Sequence, residues 1–359
     1  MSYRYLGNKA RLAEWIVGLV AERLPPGSVV ADLMCGTATM SEAFARAGYT
    51  VIAGDELKFP VLHAQARLFD ALPEFVSFGT TYEEAVSALN RLPSCSGLFS
   101  REYSAGGRPA NGARPRAYFT SENAGRIDAA RATIKLWRRQ GMHSLAADLL
   151  LHNLMLASNR VANIAGTYGY YRSTFSAASL AKMTILPTMK SIDGTTAHRV
   201  IQGDVVETIA TIYPDALYLD PPYTKRQYAG NYHILETIAQ EDEPIPVGEG
   251  GLRDWSDQAS DFCYRRRAAG AFRSVLDNCT AKWVFISYSE DAQLTDYEMA
   301  ALLCIYGTVH RYDQPLERFR SNARVSRKGD VREHLYVLEM KYAEPVKPRR
   351  GVDERSDPQ

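Results

Sequence analysis

Asp220-Pro221-Pro222-Tyr223 is the stretch best equipped for chemistry. An exocyclic amine on an aromatic base such as adenine is a poor nucleophile, because its lone pair is delocalised into the ring. Two hydrogen-bond acceptors aimed at its two N–H groups draw that lone pair out of conjugation and toward an electrophile. The Asp220 carboxylate and the Pro221 carbonyl can supply them. Pro221 and Pro222 fix φ, so both acceptors are held in place in advance. Tyr223 offers a flat face on which an extruded base can stack. Alone, the tetrapeptide is ordinary turn chemistry. Its setting argues otherwise: the apolar run Ala216 to Leu219 leads straight into it. That puts it at the carboxyl edge of a sheet, where α/β enzymes place their sites.

A second constellation suits a nucleoside. Val30-Ala31-Asp32-Leu33-Met34-Cys35-Gly36 sets a carboxylate near the end of a first strand and a glycine ahead of a helix. The glycine lets backbone approach a ligand, and the helix N-terminus favours negative charge. The full Gly-x-Gly-x-x-Gly fingerprint of a pyrophosphate-linked dinucleotide is absent. A pyrophosphate is therefore less expected than a nucleoside with an uncharged linker, such as S-adenosylmethionine, whose cationic methionine end Asp32 could help hold. Asp55 ends the second strand, about 20 residues on, where a carboxylate accepts from ribose hydroxyls. Asp204, just past a third strand, either accepts from the cofactor's adenine amine or caps a helix. Arg4-Tyr5-Leu6-Gly7-Asn8-Lys9 is either a lid over a nucleoside, with Lys9 near a carboxylate, or a plain helix start capped by Asn8.

The elements that position these residues follow from periodicity. Leu12, Trp15, Ile16, Leu19 and Val20 have helical spacing, ended by Pro25-Pro26-Gly27. Ser28 to Met34 and Tyr49 to Gly54 read as strands around a helix closed by Gly48. Strand–helix alternation resumes with Arg199 to Gln202, Val205 to Ile212, Ala216 to Leu219, Tyr232 to Ala239, Ala281 to Tyr288 and Tyr297 to Ile305. Val309 to Tyr312 and His334 to Met340 form a closing antiparallel pair. Between these halves lie helical stretches (Gly125 to Arg139, Ser144 to Leu156) and two loops, Ser94 to Pro115 and Ala165 to Ser176. The fold class is α/β: a Rossmann-like sheet domain (1–60 and 197–343) interrupted by a mainly helical insert (61–196), with a disordered polar tail (344–359).

Composition narrows the class. The 359 residues are 46% hydrophobic, enough for one large core or a core plus a smaller module. No apolar run reaches membrane-span length, and the N-terminus lacks the apolar stretch of a secretory signal. Five scattered cysteines, none in a Cys-x-x-Cys pair, fit reduced thiols of a cytoplasmic protein. The net charge of +1 excludes a passive nucleic-acid coat. It leaves open a basic face built from local arginines: Arg101, Arg108, Arg114 and Arg116; Arg265 to Arg267; Arg318, Arg320, Arg324, Arg327 and Lys328. Each cluster is otherwise a solvated loop. No metal-ligand spacing, Gly-x-Ser-x-Gly or Walker pattern occurs, so no metal is expected. The histidines (His63, His152, His198) read as packed or surface residues. Tyr168, Tyr170 and Tyr171 share one loop, to stack on bases or to pack.

Taken together, Tyr5 to Lys9, Asp32 to Gly36, an insert and then Asp220 to Tyr223 resemble the D12-type, Dam-like adenine-specific DNA methyltransferases. Asn231-Tyr232-His233, Val284 to Tyr288 and Glu333 to Val337 add to the likeness, which covers the sheet domain. The resemblance implies that Tyr5, Lys9, Asp55 and Asp220 contact cofactor and that Asp220 to Tyr223 form the catalytic loop. It further implies methylation of adenine N6 in double-stranded DNA and a target-recognition role for the insert, with arginines on phosphates. A cognate restriction endonuclease is an implied partner, a membrane is not, and monomer and homodimer both stay open. The glycine loop departs from the family's Phe-x-Gly-x-Gly. Three rival readings stand beside this one: RNA adenine-N6 methylation, DNA cytosine-N4 methylation, or an inactive nucleic-acid-binding scaffold.

Overall fold

The computed structural model describes residues 5, 7, 9–69, 72–189, 197–316 and 331–341. The expected tail (344–359), the cluster Arg318 to Lys328, and Arg4, Leu6 and Asn8 lie outside the described residues. Strands β1 (Val29–Asp32), β2 (Thr50–Asp55), β3 (Arg199–Gln202), β4 (Ala216–Leu219), β5 (Trp283–Ser289), β6 (Gly307–Leu316) and β7 (Val331–Met340) form one sheet. Their order is β3-β2-β1-β4-β5-β7-β6. β1 to β5 run parallel; β7 is antiparallel to both β5 and β6. This is the expected Rossmann-like sheet, and the closing pair β6–β7 is as foreseen. The chain order reverses direction between β1 and β4, so a crevice opens beyond their carboxyl ends.

Alternation along each strand builds two cores. Ala31, Leu217, Leu219, Val284, Ile286, Tyr336 and Leu338 face one side of the sheet. Val30, Ala216, Tyr218, Phe285, Leu335 and Val337 face the other, against Leu12, Ile16, Leu19 and Phe44. Successive side chains of a strand point to opposite faces, so strands buried on both sides read as unbroken apolar runs. Among the described residues no helix is long and apolar enough to cross a membrane.

A third core belongs to the insert and is not confined to it. The helices Ser121–Arg139 and Ser144–Val161 pack on each other, and Ser144–Val161 also packs on Lys58–Leu68 and on His233–Gln240, a helix a short way beyond Asp220 to Tyr223. The expected boundary at 60/61 thus falls inside a helix. Glu236, fully buried, fastens the helix His233–Gln240 to the start of the helix Lys58–Leu68: its two carboxylate oxygens accept from the backbone N–H groups of Lys58 and Phe59, each at 3.0 Å. These are unpaired donors of a helix first turn, and a carboxylate there also opposes the helix dipole favourably. Glu236→Ala should lower stability by about 2–4 kcal/mol through two orphaned buried donors. Urea unfolding would check this, and a loss below about 0.5 kcal/mol would refute the clasp.

Several loop expectations change. The Ser94 to Pro115 loop contains a helical turn, Leu98–Glu102, with Leu98, Phe99 and Tyr103 buried. Arg116 is not on a phosphate-facing surface. It is wholly buried, its Nη1 lies 2.8 Å from Glu102 Oε2, and Gly251 packs so tightly that a Cβ there would sit 2.6 Å from Arg116 Cδ. A buried guanidinium needs such partners. Tyr168 is core, its hydroxyl donating to Asn159 Oδ1 at 2.9 Å, whereas Tyr170 and Tyr171 stack at 4.6 Å. His63 and His152 are packed, as expected, and contact each other at 3.0 Å.

Candidate active site

One cleft of about 920 Å³ opens at the carboxyl ends of β1, β2 and β4. The strand ends deliver five carboxylates to it: Asp32 from the end of β1, Asp55 from β2 with Glu56 just beyond, Asp204 beyond β3 and Asp220 beyond β4. Met34, Gly36, Tyr5, Lys9 and Pro222 also line it. Pro221 is buried and Tyr223 half-buried; neither is part of that lining.

Asp32 is 1% exposed. Its Oδ2 accepts from the Ser41 hydroxyl at 2.6 Å, while Oδ1 is buried without a partner. Burial pushes its carboxyl up to about 7, against the Ser41 bond and with added repulsion from Asp220 and Asp55. An orphaned buried carboxylate oxygen is costly unless a cation meets it, so the donor set fits a ligand ammonium group. Asp55 is likewise pushed up to about 7 by burial, although it accepts from the backbone N–H groups of Leu57 and Gly36, each at 3.1 Å. These bonds fix its carboxylate while leaving lone pairs for hydroxyl donors. Asp204 caps the helix Val205–Ile209, accepting from Val206 and Glu207 N–H at 2.8 and 3.2 Å, and lines the cleft as well. The helix-cap reading of that residue thus holds, and the cap leaves it at the cleft.

Gly36 adopts φ +51°, and the Tyr5 hydroxyl lies where its Cβ would be, 2.7 Å away. Only glycine accommodates both. Tyr5 stacks on Tyr232 at 4.8 Å, which anchors the N-terminal segment to the insert's core. Lys9 does not cover the cleft. It is 4% exposed, and its Nζ lies 3.3 Å from Asp220 Oδ1 and 3.2 Å from Glu333 Oε2. Burial lowers the affinity of its ammonium for the proton, but Asp220 and then Tyr223 and Glu333 outweigh this and hold it well above the ordinary lysine range. Asp220 is pushed up to about 6 by burial, with Lys9 opposing. The Tyr223 ring stands edge-on to Tyr288 at 6.3 Å, with Lys9 Nζ 5.1 Å from its centroid.

Sequence reasoning missed three parts of this site. Ser41 holds Asp32; Glu333 holds Lys9; and residues Asp257 to Phe262, in the polar stretch between Glu236 and Phe272, form a cleft wall. That wall is fixed by Gln227, whose amide donates to the Ser260 carbonyl at 3.0 Å and accepts from the Ser260 N–H at 2.9 Å. Nothing local marks a pairing between residues so far apart in the chain. Arg266 and Arg267 also reach the lining and are exposed, unlike Arg116.

The family model of D12 class N6 adenine-specific DNA methyltransferases matches residues 5–290, insert included. The chain is 28% identical over 342 residues to the type II methyltransferase M.NlaIII of Neisseria lactamica, covering 93% of this chain and 98% of that protein. It is 29% identical over 346 residues to the type II methyltransferase M.FokI of Planomicrobium okeanokoites (94% and 52%). It is 32% identical over 298 residues to the modification methylase LlaI of Lactococcus lactis subsp. lactis (80% and 46%). The chain spans about half the length of the last two.

Proposed function

Since this chain belongs to the D12 class of N6 adenine-specific DNA methyltransferases, we propose that it methylates the N6 amine of an adenine flipped out of double-stranded DNA, at a specific sequence, using S-adenosylmethionine. The observation that carries this reading is Asp220, set beyond β4 with its carboxylate in the same cleft as Asp32, Gly36 and Asp55.

When bound, S-adenosylmethionine supplies a methyl group already activated by a sulfonium. Every other task falls to the chain. Asp32 holds the cofactor's ammonium with its unpartnered Oδ1, and Asp55 accepts from ribose hydroxyls. Asp220 and the Pro221 carbonyl accept the two N–H groups of the target amine and localise its lone pair. Tyr223 offers the aromatic face for the extruded base. A carboxyl pushed up to about 6 is ionised at neutral pH yet basic enough to take the proton that the amine sheds. Exposed Arg266 and Arg267 at the cleft suit phosphate contacts, and the insert supplies sequence readout. A cognate endonuclease completes the modification role.

The test is transfer of a tritiated methyl group to unmethylated duplex DNA and, separately, to RNA, followed by nucleoside mass spectrometry. N6-methyladenine in DNA is the expected product. Label confined to RNA, or N4-methylcytosine in DNA, would sink the proposal.

A further inference from the structure

β7 runs against its neighbours, so its beginning, not its end, reaches the edge where β4 and β5 finish. Glu333 sits there, in register with Ser289 at the end of β5. It is 7% exposed. Its carboxylate accepts from Lys9 Nζ at 3.2 Å and acts electrostatically on the nearby Tyr223 hydroxyl. Lys9 in turn lies 3.3 Å from Asp220. Glu333 therefore touches a direct neighbour of the catalytic carboxylate, and stands near the last residue of the catalytic loop, without lining the cleft itself.

We propose that Glu333 is a positioning residue for methyl transfer: by sharing the Lys9 ammonium, it keeps the Asp220 carboxylate from being neutralised by its own anchor. This rests on the reading of Asp220 as acceptor of the target amine. The two distances from Lys9 Nζ are nearly equal, so neither carboxylate owns the cation. One ammonium between two carboxylates leaves the cluster with one net negative charge. A target nitrogen that becomes positive as it is methylated is stabilised by that excess charge, and the effect is strong because the cluster is buried. Without Glu333, Lys9 would pair with Asp220 alone, drawing the carboxylate toward itself and cancelling its charge. Repulsion from Glu333 also works with burial in raising Asp220. The groups facing Asp220 are Lys9 from the N-terminal segment, Glu333 from β7, Asp32 from β1, Tyr218 from β4, and Tyr223 and Tyr228 after it. Among them Glu333 is a carboxylate outside the cleft lining, so removing its charge need not disturb ligand contacts.

The experiment compares wild type, Glu333→Gln and Glu333→Asp as full chains, with S-adenosylmethionine and unmethylated phage DNA, measuring kcat from about pH 5 to about pH 8. Glu333→Gln preserves shape and a hydrogen-bond acceptor but not charge. It should lower kcat by about 10–100-fold and move the acid limb of the profile to lower pH, with cofactor affinity by calorimetry retained. Glu333→Asp keeps the charge and should leave the acid limb in place with a smaller loss. A Glu333→Gln enzyme with wild-type kcat overturns the inference, and so does one whose kcat falls with the acid limb unmoved. Should the glutamine variant not fold, an acid limb displaced by Glu333→Asp overturns it instead. Asp220→Ala is run alongside: turnover retained there removes the underlying reading, whereas an inactive Asp220→Ala with an unmoved Glu333→Gln profile removes only the role of Glu333.

Discussion

Asp220→Ala is expected to lower kcat for adenine methylation by about 10³-fold while cofactor binding persists. The size follows from removing a preorganised charge-stabilising contact in a dry site, where single contacts are worth about 10²–10³ in rate. Alanine leaves the Pro221 carbonyl as the remaining acceptor, so one N–H of the amine loses its partner. The effect has a pH counterpart in the wild type. Burial raises the Asp220 carboxyl to about 6, above the ordinary aspartate value of about 4. The working form is the carboxylate, so kcat at saturating cofactor should fall as pH drops through about 6 and stay level above it. Lys9, held protonated by its two carboxylates, adds no limb near neutrality. Rapid-quench single-turnover assays would separate this step from product release. An alanine variant with wild-type turnover ends the assignment.

The second large effect concerns cofactor affinity. Asp32→Asn should weaken S-adenosylmethionine binding by about 10–100-fold, the equivalent of one ionic hydrogen bond of about 1.5–3 kcal/mol. The amide keeps the shape and can still accept from Ser41, but it carries no charge for an ammonium. Burial raises the Asp32 carboxyl to about 7. A bound cation favours the ionised form, so wild-type affinity should weaken as pH falls below about 7, with one proton taken up on cofactor release. In the asparagine variant that dependence becomes shallower, what remains being due to Asp55, also raised to about 7. Calorimetry in buffers of different ionisation enthalpy measures the proton count directly. Equal affinity in variant and wild type would exclude Asp32 from the cofactor's cationic end.

What sequence could reveal divides by the range of the interaction. β1, β2, β4 and β5 were legible because a strand buried on both faces is a short apolar run bounded by turn residues. Asp32, Asp55, Asp204 and Asp220 stood out because each ends or follows such a run, and a parallel sheet sends all those ends to one edge. Contacts closed by the fold were not legible. Glu333 meets Lys9 only because β7 runs backwards between β5 and β6; read along the chain it is one more charge in a strand. Gln227 and Ser260 have no local mark of pairing. The helix Tyr82–Arg91 did carry a usable signal that went unread, the Thr81 and Glu84 capping box. Arg116 shows the converse hazard. A basic residue in a Gly- and Pro-rich segment reads as surface, yet here it is the buried partner of Glu102.

The core that the helix His233–Gln240 shares with the insert has a consequence for exchanging segments between relatives. The helix His233–Gln240, which follows the short helix Tyr228–Asn231 beyond Asp220 to Tyr223, shares a core with the insert's long helices. Grafting only 61–196 from another enzyme would set foreign side chains against native Ile234, Leu235 and Ile238. Chimeras that cross over beyond residue 240, carrying this helix with its donor's insert, keep that seam intact, and they are the ones that should yield soluble hybrids.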